Sequence, residues 1–468
     1  MPASFMTLFP NVLDGLKIYQ RCLETVTEAC DLTKHSATSV FELFQNSRML
    51  MVNTWAAVLP MTALPHTQYF GRLLETYRKE DELISRRLAI TTSENFDRVA
   101  QERRGEISFL RLFTEAPPRQ LWSFPIDSPR ILRDLPGMRL IDISINNRHD
   151  IGNYTVVFAP RAGHHSNIAE RVAIYLRDHG MTRMAIVEQK CAADIPGMID
   201  GVCHRENFDS QIEQYRQVLE ALVGLTGRPP HLIAVCQPGP LLMATLILYP
   251  HLGRTFGSAG SPMHTEAQRG FLTDFARIAG EKFIDKMIAL STMNIGLSKT
   301  GKGQSSYDGR HQVLGFYMLG MNQHIGNLKR LLTDLKAGNQ SAADRQLAFY
   351  QWYNTAHHLP ADYIRETYRR VFVRNELIRG SFSFEGRKIG VADFPASVPV
   401  WALGGTKDDI APVGQAVGHM ECIQTVPEEN KLSLQCDSGH MGLFRSRRVL
   451  SKYYSQIAQF LLTHSDRR

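Results

Sequence analysis

His231-Leu-Ile-Ala-Val-Cys-Gln-Pro-Gly239 is the stretch that decides the fold. His231 to Val235 reads as a strand with both faces buried, and it runs straight into Cys236. A strand feeding a sharp turn into a helix presents the turn residue's side chain at the carboxyl edge of a sheet. This is the nucleophile-elbow arrangement, usually written G-x-S-x-G. The turn needs small residues two positions before and after the nucleophile. Ala234 meets the first need. Pro238 replaces glycine at the second and suits the first turn of a helix, where its missing N–H costs nothing. A helix N-terminus beside Cys236 would favour the thiolate, the nucleophilic form of the side chain.

Working outward, short β-rich runs alternate with amphipathic helices from about residue 120, the signature of a mostly parallel sheet. Upstream of the elbow, Tyr154 to Ala159 predicts a strand followed by the turn Pro160-Arg-Ala-Gly-His-His165. A helix from Ser166 to near Gly180 and a strand at Met184 to Val187 come next. Phe208, Ile212, Tyr215, Leu219, Leu222 and Leu225 mark one face of a helix that Gly227 and Pro229-Pro230 stop. Downstream, an aromatic-rich helical stretch interrupts the alternation, which resumes with a strand at Val398 to Leu403. A last strand at Lys431 to Leu434 and a helix through Tyr454 to Leu462 complete the sheet region.

The predicted fold class is α/β, an α/β-hydrolase fold with a mostly parallel sheet, an inserted helical lid and a helical N-terminal region. Residues 1–115 form the helical N-terminal region and 116–263 the first part of the core. Residues 264–385 are the lid insertion and 386–468 the second part of the core. In the N-terminal region Phe9, Val12, Leu13, Leu16, Tyr19, Leu23 and Val26 recur at helical spacing. Together with the charge-free segment Met49 to Leu64, that stripe suggests either core packing or docking on an apolar surface.

Composition excludes several classes. Of 468 residues, 43% are apolar and 21% charged, which is globular usage rather than that of a disordered or coiled-coil chain. The formal charge of +7 is spread out, with no run of basic residues, so nucleic acid is not an expected partner. Seven scattered cysteines without a C-x-x-C pair are not a disulfide framework and predict a reducing, cytoplasmic compartment. No signal-peptide pattern and no transmembrane segment is expected. Oligomeric state is not readable.

Two further strand ends give the cysteine partners. In this fold the triad runs nucleophile, acid, histidine along the chain. Asp408-Asp409 follows one predicted strand, far enough downstream to leave room for the insertion, and Ser438-Gly-His-Met-Gly442 follows the last. His440 would take the Cys236 proton, and a carboxylate at 408 or 409 would orient the imidazolium; spacing does not choose between the neighbours. The N–H of Gln237 and the turn at Gly163 are the expected oxyanion donors. Adjacent His164 and His165 diverge, so they and Asp409 are expected to support the triad rather than to hold a metal, and no metal site is predicted.

These residues resemble the intracellular poly(3-hydroxybutyrate), or polyhydroxyalkanoate, depolymerases. The resemblance rests on Ala159-Pro-x-x-Gly-His-His165, Val235-Cys-Gln-Pro238, Phe349-Tyr-x-x-Tyr-Asn354, Asp408-Asp-Ile410 and Gly439-His-x-Gly-x-Phe444 with Arg447-Arg448, spanning roughly residues 155–450. It implies an α/β-hydrolase with a Cys–Asp–His triad that cleaves ester bonds of storage polyester at cytoplasmic granules. Carried over by position, the triad falls on Cys236, Asp408 and His440. No cofactor is implied beyond coenzyme A as an alternative acyl acceptor to water. The chain departs from the family pattern after Val187, where Glu188-Gln-Lys-Cys191 replaces an Asp-Trp segment leading to Ala-Arg. Two other readings are a polyhydroxyalkanoate synthase-like acyltransferase and a non-catalytic granule-associated protein. Ala234 and Pro238 do not fit the G-x-C-x-G of synthases, and three ordered strand-end residues speak against a scaffold.

Overall fold

The computed structural model describes residues 10–32, 96–118, 120–125, 130–145, 151–161, 167–294 and 305–466. The chain forms two compact units, one from the stretches 1–120 and 313–356 and the other from 121–312 and 357–468. Residues 313–356 lie inside the predicted insertion, and in the structure they cluster with the N-terminal helices.

In the first unit the helix Phe96–Thr114 packs against Pro10–Leu32 and Met321–Ala337. Gly105 permits the close approach: a Cβ there would lie 2.5 Å from the Leu335 carbonyl carbon. The buried Arg103 pairs with Glu106, which also takes Lys336 at 3.1 Å, so the Glu106 carboxylate answers two cations in this helix interface. Leu13, Leu16, Tyr19 and Leu23 of the predicted stripe are buried, as core packing requires. Met49 to Leu64 lies outside the described residues.

The second unit is built on one eight-stranded sheet. Its strands are β1 (Ile131–Asp134), β2 (Met138–Asp142), β3 (Thr155–Phe158), β4 (Met184–Gln189), β5 (His231–Val235), β6 (Thr255–Ala259), β7 (Val400–Gly405) and β8 (Lys431–Cys436). Their spatial order is 1-2-4-3-5-6-7-8. β2 pairs antiparallel with β1 and β4, and every pair from β4 to β8 is parallel. That order, with one antiparallel excursion at the start, is the α/β-hydrolase fold.

Helices α1 (Asn167–Asp178), α2 (Phe208–Thr226) and α3 (Gly239–Leu248) make the crossovers. α2 starts at an Asn207–Ser210 capping box and ends at Gly227 in the left-handed conformation. β3, β5, β6 and β7 are buried at every residue, which is why they carry few charges. β6 holds Gly257 because the Trp401 ring of β7 lies across it; a Cβ there would meet the indole at 1.8 Å. A second antiparallel element, β1–β2, precedes β3 and was covered in the sequence only by the change of pattern near residue 120.

Candidate active site

The elbow takes its shape from backbone geometry. β5 ends at Val235, and Cys236 adopts φ +64°, the left-handed region that disfavours a residue with a side chain. The strained turn is pinned by the Cys236 N–H, which donates to the Ala259 carbonyl at the end of β6 at 2.9 Å. Pro238, at φ −62°, leads directly into α3. Gly239 completes the requirement for small residues, since a Cβ there would lie 2.5 Å from the Met263 sulfur and 2.6 Å from Ser261 Cβ. Ala234 is fully buried between Phe158 and Ser258 of the flanking strands.

His440 opens α4 (His440–Arg445), and its Nδ1 lies 2.8 Å from Asp408 Oδ2. Asp408 is itself held: its Oδ1 accepts the N–H groups of Ile410 and Ala411, each at 2.9 Å. Thr406 N–H donates to the Cys436 carbonyl and Lys407 N–H to the Ser438 carbonyl, so the acid turn and the histidine loop are laced together. Gly405 makes this possible, as a Cβ there would sit 2.3 Å from the Ser438 oxygen. The motif Gly439-His-x-Gly-x-Phe444 also acquires a physical reason. A Cβ at Gly442 would lie 2.2 Å from Ser438 Oγ, and the Phe444 ring meets the His440 imidazole edge-on at 5.4 Å.

Cys236, Asp408 and His440 are 8, 6 and 6% exposed. In this dry setting burial opposes a charged imidazole, but the Asp408 carboxylate, hydrogen-bonded to His440, and the nearby Cys236 sulfur outweigh it and hold its pKa well above the ordinary value. With Nδ1 committed to Asp408, Nε2 is the nitrogen left for the sulfur. Gly260, at φ +56°, leaves room for the ring: a Cβ there would be 3.2 Å from His440 Cε1. The arrangement can take a proton from a thiol and return it to a leaving group.

The two neighbouring carboxylates part company, Asp408 turning inward and Asp409 exposed. Gly163, His164 and His165 lie outside the described residues. The described chain stops at Arg161, whose backbone N–H donates to Gln237 Oε1 at 3.1 Å. Glu188 and Lys190, in the segment that departs from the family pattern, hold the first hairpin. Glu188 takes Arg139 at 2.7 Å and Trp122 at 3.0 Å, while Lys190 Nζ donates to the Leu135 carbonyl at 2.7 Å.

Residues 260–465 match the family model described as PHB de-polymerase C-terminus. That segment, 206 of the 468 residues, is similar to the family's C-terminal region. The match supports a hydrolase of ester substrates. No functionally described protein matches it by sequence. Among solved structures it is similar to the monoacylglycerol lipase of Paleococcus ferrophilus, at 15% identity and TM-score 0.38, covering 70% of this chain and 99% of that one. It is also similar to an alpha/beta hydrolase fold protein from Nakamurella multipartita, at 14% and 0.36, covering 69% and 95%. A thermophilic esterase from Thermogutta terrifontis stands at 11% and 0.35, covering 70% and 94%. Strand order and elbow, rather than these likenesses, define the fold of this chain. Among the described residues no helix is long and apolar enough to cross a membrane.

Sequence reasoning did not single out Gly260, Arg161 or the Gln237 side chain. A glycine closing a β-strand beside the elbow was the available signal for Gly260; the partners of Arg161 are too distant along the chain to be read.

Proposed function

We propose that this protein is a polyhydroxyalkanoate depolymerase that cleaves storage polyester through Cys236, His440 and Asp408. One observation carries the reading: a cysteine held at positive φ on a strand-to-helix turn, beside a histidine that is itself bonded to a buried aspartate. His440 takes the Cys236 proton, and the sulfur attacks an ester carbonyl of the polymer. The oxyanion is held by the Gln237 N–H and the turn at Gly163. Imidazolium returns the proton to the departing alkoxide, leaving an acyl-enzyme and a shortened polymer with a free hydroxyl. Water, or the thiol of coenzyme A, then attacks the acyl carbon, with His440 taking its proton and giving it back to Cys236. A surface suited to an insoluble substrate supports the polymer reading: Phe271, Ile278, Phe283, Met287 and Leu290 are exposed along Phe271–Leu290, two helical segments that meet at a kink at Gly280. The proposed place of action is the surface of cytoplasmic storage granules.

Incubation of the purified protein with native amorphous granules, with and without coenzyme A, tests this. Hydroxyacid or short oligomers are expected in water alone, and a hydroxyacyl thioester as well if coenzyme A is the acceptor. Neither product, with polymer formed from hydroxyacyl-coenzyme A instead, would replace the depolymerase reading with the synthase one.

A further inference from the structure

Behind the elbow lies a buried polar cluster that the triad chemistry does not use. Arg161, the first residue beyond Pro160 at the exit of β3, is 5% exposed, and Glu206 is 1% exposed. The guanidinium donates to Glu206 Oε1 at 2.8 Å, to Gln211 Oε1 at 3.0 Å and to the carbonyls of Lys190 and Gly137, each at 3.2 Å. Glu206 also accepts Gln214 Nε2 at 2.9 Å. Gly137 is the price of this closeness, because a Cβ there would be 2.4 Å from Glu206 Oε1. Arg161 further covers the ring of Tyr363 at 5.3 Å.

A buried guanidinium with four of its five N–H donors engaged has one geometry. It therefore fixes the backbone of residue 161, and that backbone's N–H is what the Gln237 side chain grips. Gln237 follows a residue in a strained conformation and is itself half-buried. We infer that the bond from Arg161 N–H to Gln237 Oε1, backed by the Arg161–Glu206 pair, positions the elbow's Gln237 N–H for the oxyanion. Gln237 is thus a positioning residue through its side chain, beside the proposed role of its N–H. The same bond ties the elbow to the β3 exit, the two backbone segments from which this chemistry draws its donors. The inference rests on the proposed ester chemistry.

The test is steady-state hydrolysis of a soluble p-nitrophenyl ester by Gln237→Leu, Gln237→Glu, Glu206→Gln and the double variant Gln237→Leu/Glu206→Gln, with Cys236→Ala alongside. Gln237→Leu should lower kcat by about ten- to a hundredfold, the scale of a misplaced oxyanion donor, with KM and the rate of Cys236 alkylation within about twofold. Gln237→Glu, whose carboxylate still accepts the Arg161 N–H, should recover most of the loss. The double variant should lose no more than Gln237→Leu alone, because both changes cut one network. Wild-type kcat in Gln237→Leu, additive losses, or losses that merely track thermal stability would overturn the positioning role. Should Glu206→Gln fail to fold, the two Gln237 variants still decide the matter. An active Cys236→Ala removes the ester reading itself, whereas an inactive Cys236→Ala beside a fully active Gln237→Leu removes only this inference.

Discussion

Replacing Asp408 by Asn changes one atom and should nearly silence the enzyme. Asp408 Oδ1 is committed to the Ile410 and Ala411 N–H groups at 2.9 Å, so an asparagine keeps its carbonyl there and places its NH₂ where Oδ2 was. That NH₂ then faces His440 Nδ1 across the 2.8 Å now spanned by the ion pair. Two donors cannot share the gap. His440 must present a lone pair at Nδ1 and carry its proton on Nε2, the nitrogen needed to accept from Cys236. The carboxylate charge that, with Cys236, outweighs burial is also gone. The expected loss in kcat is about 10⁴-fold, or roughly 5 kcal/mol of barrier, with KM little changed. Stability gives a second readout. Because the folded pKa of His440 is raised, its charged pair stabilises the fold fully below about pH 6.5, and that contribution fades as pH rises through the folded value. The gap in Tm between wild type and Asp408→Asn should accordingly narrow as pH is raised from 6.5. Asp409→Asn, on the exposed neighbour, should retain activity within about threefold. Hydrolysis of a soluble ester at neutral pH measures both variants, and the reverse ranking would refute the reasoning.

Two other outcomes follow from buried groups. Gly257→Ala would drive a methyl into the Trp401 ring and should cost on the order of 3 kcal/mol in denaturant unfolding, with wild-type stability showing that the β6–β7 contact is looser than described. His231 and His419 are fully buried, and burial pushes each pKa down to about 3, so the unfolded chain binds more protons between pH 6.5 and 3. Stability should fall steadily across that window, by up to about 1.4 kcal/mol per pH unit for each histidine, and His419→Gln should make the pH profile shallower.

What the sequence made legible divides along physical lines. β5 was read to the residue, because a run of buried apolar side chains ending in a turn is a local signal. The end of α2 at Gly227 was equally local. β6 was not read: Thr255-Phe-Gly-Ser-Ala259 looks unlike a strand until Trp401 is known to lie over Gly257. β1 and β2 were missed as elements, being short and half-polar, with β1 at the edge of the sheet and β2 next to it. At the site, order along the chain brought Cys236, the acidic turn and His440 together as candidates, and the structure places His440 and Asp408 in contact. Spacing could not choose between Asp408 and Asp409, since the difference is which way each side chain turns. Arg161 read as an ordinary loop residue because its partners, from Gly137 to Gln237, are assembled only by the fold.

The central claim is that Cys236 carries the acyl group, and the most direct measurement is mass spectrometry of protein quenched during turnover of a hydroxybutyrate ester. A hydroxyacyl adduct on the peptide containing Cys236, accumulating within the first turnovers and absent from Cys236→Ala, which should itself be inactive, is the predicted result. An adduct on another residue, or undiminished turnover by Cys236→Ala, would contradict it.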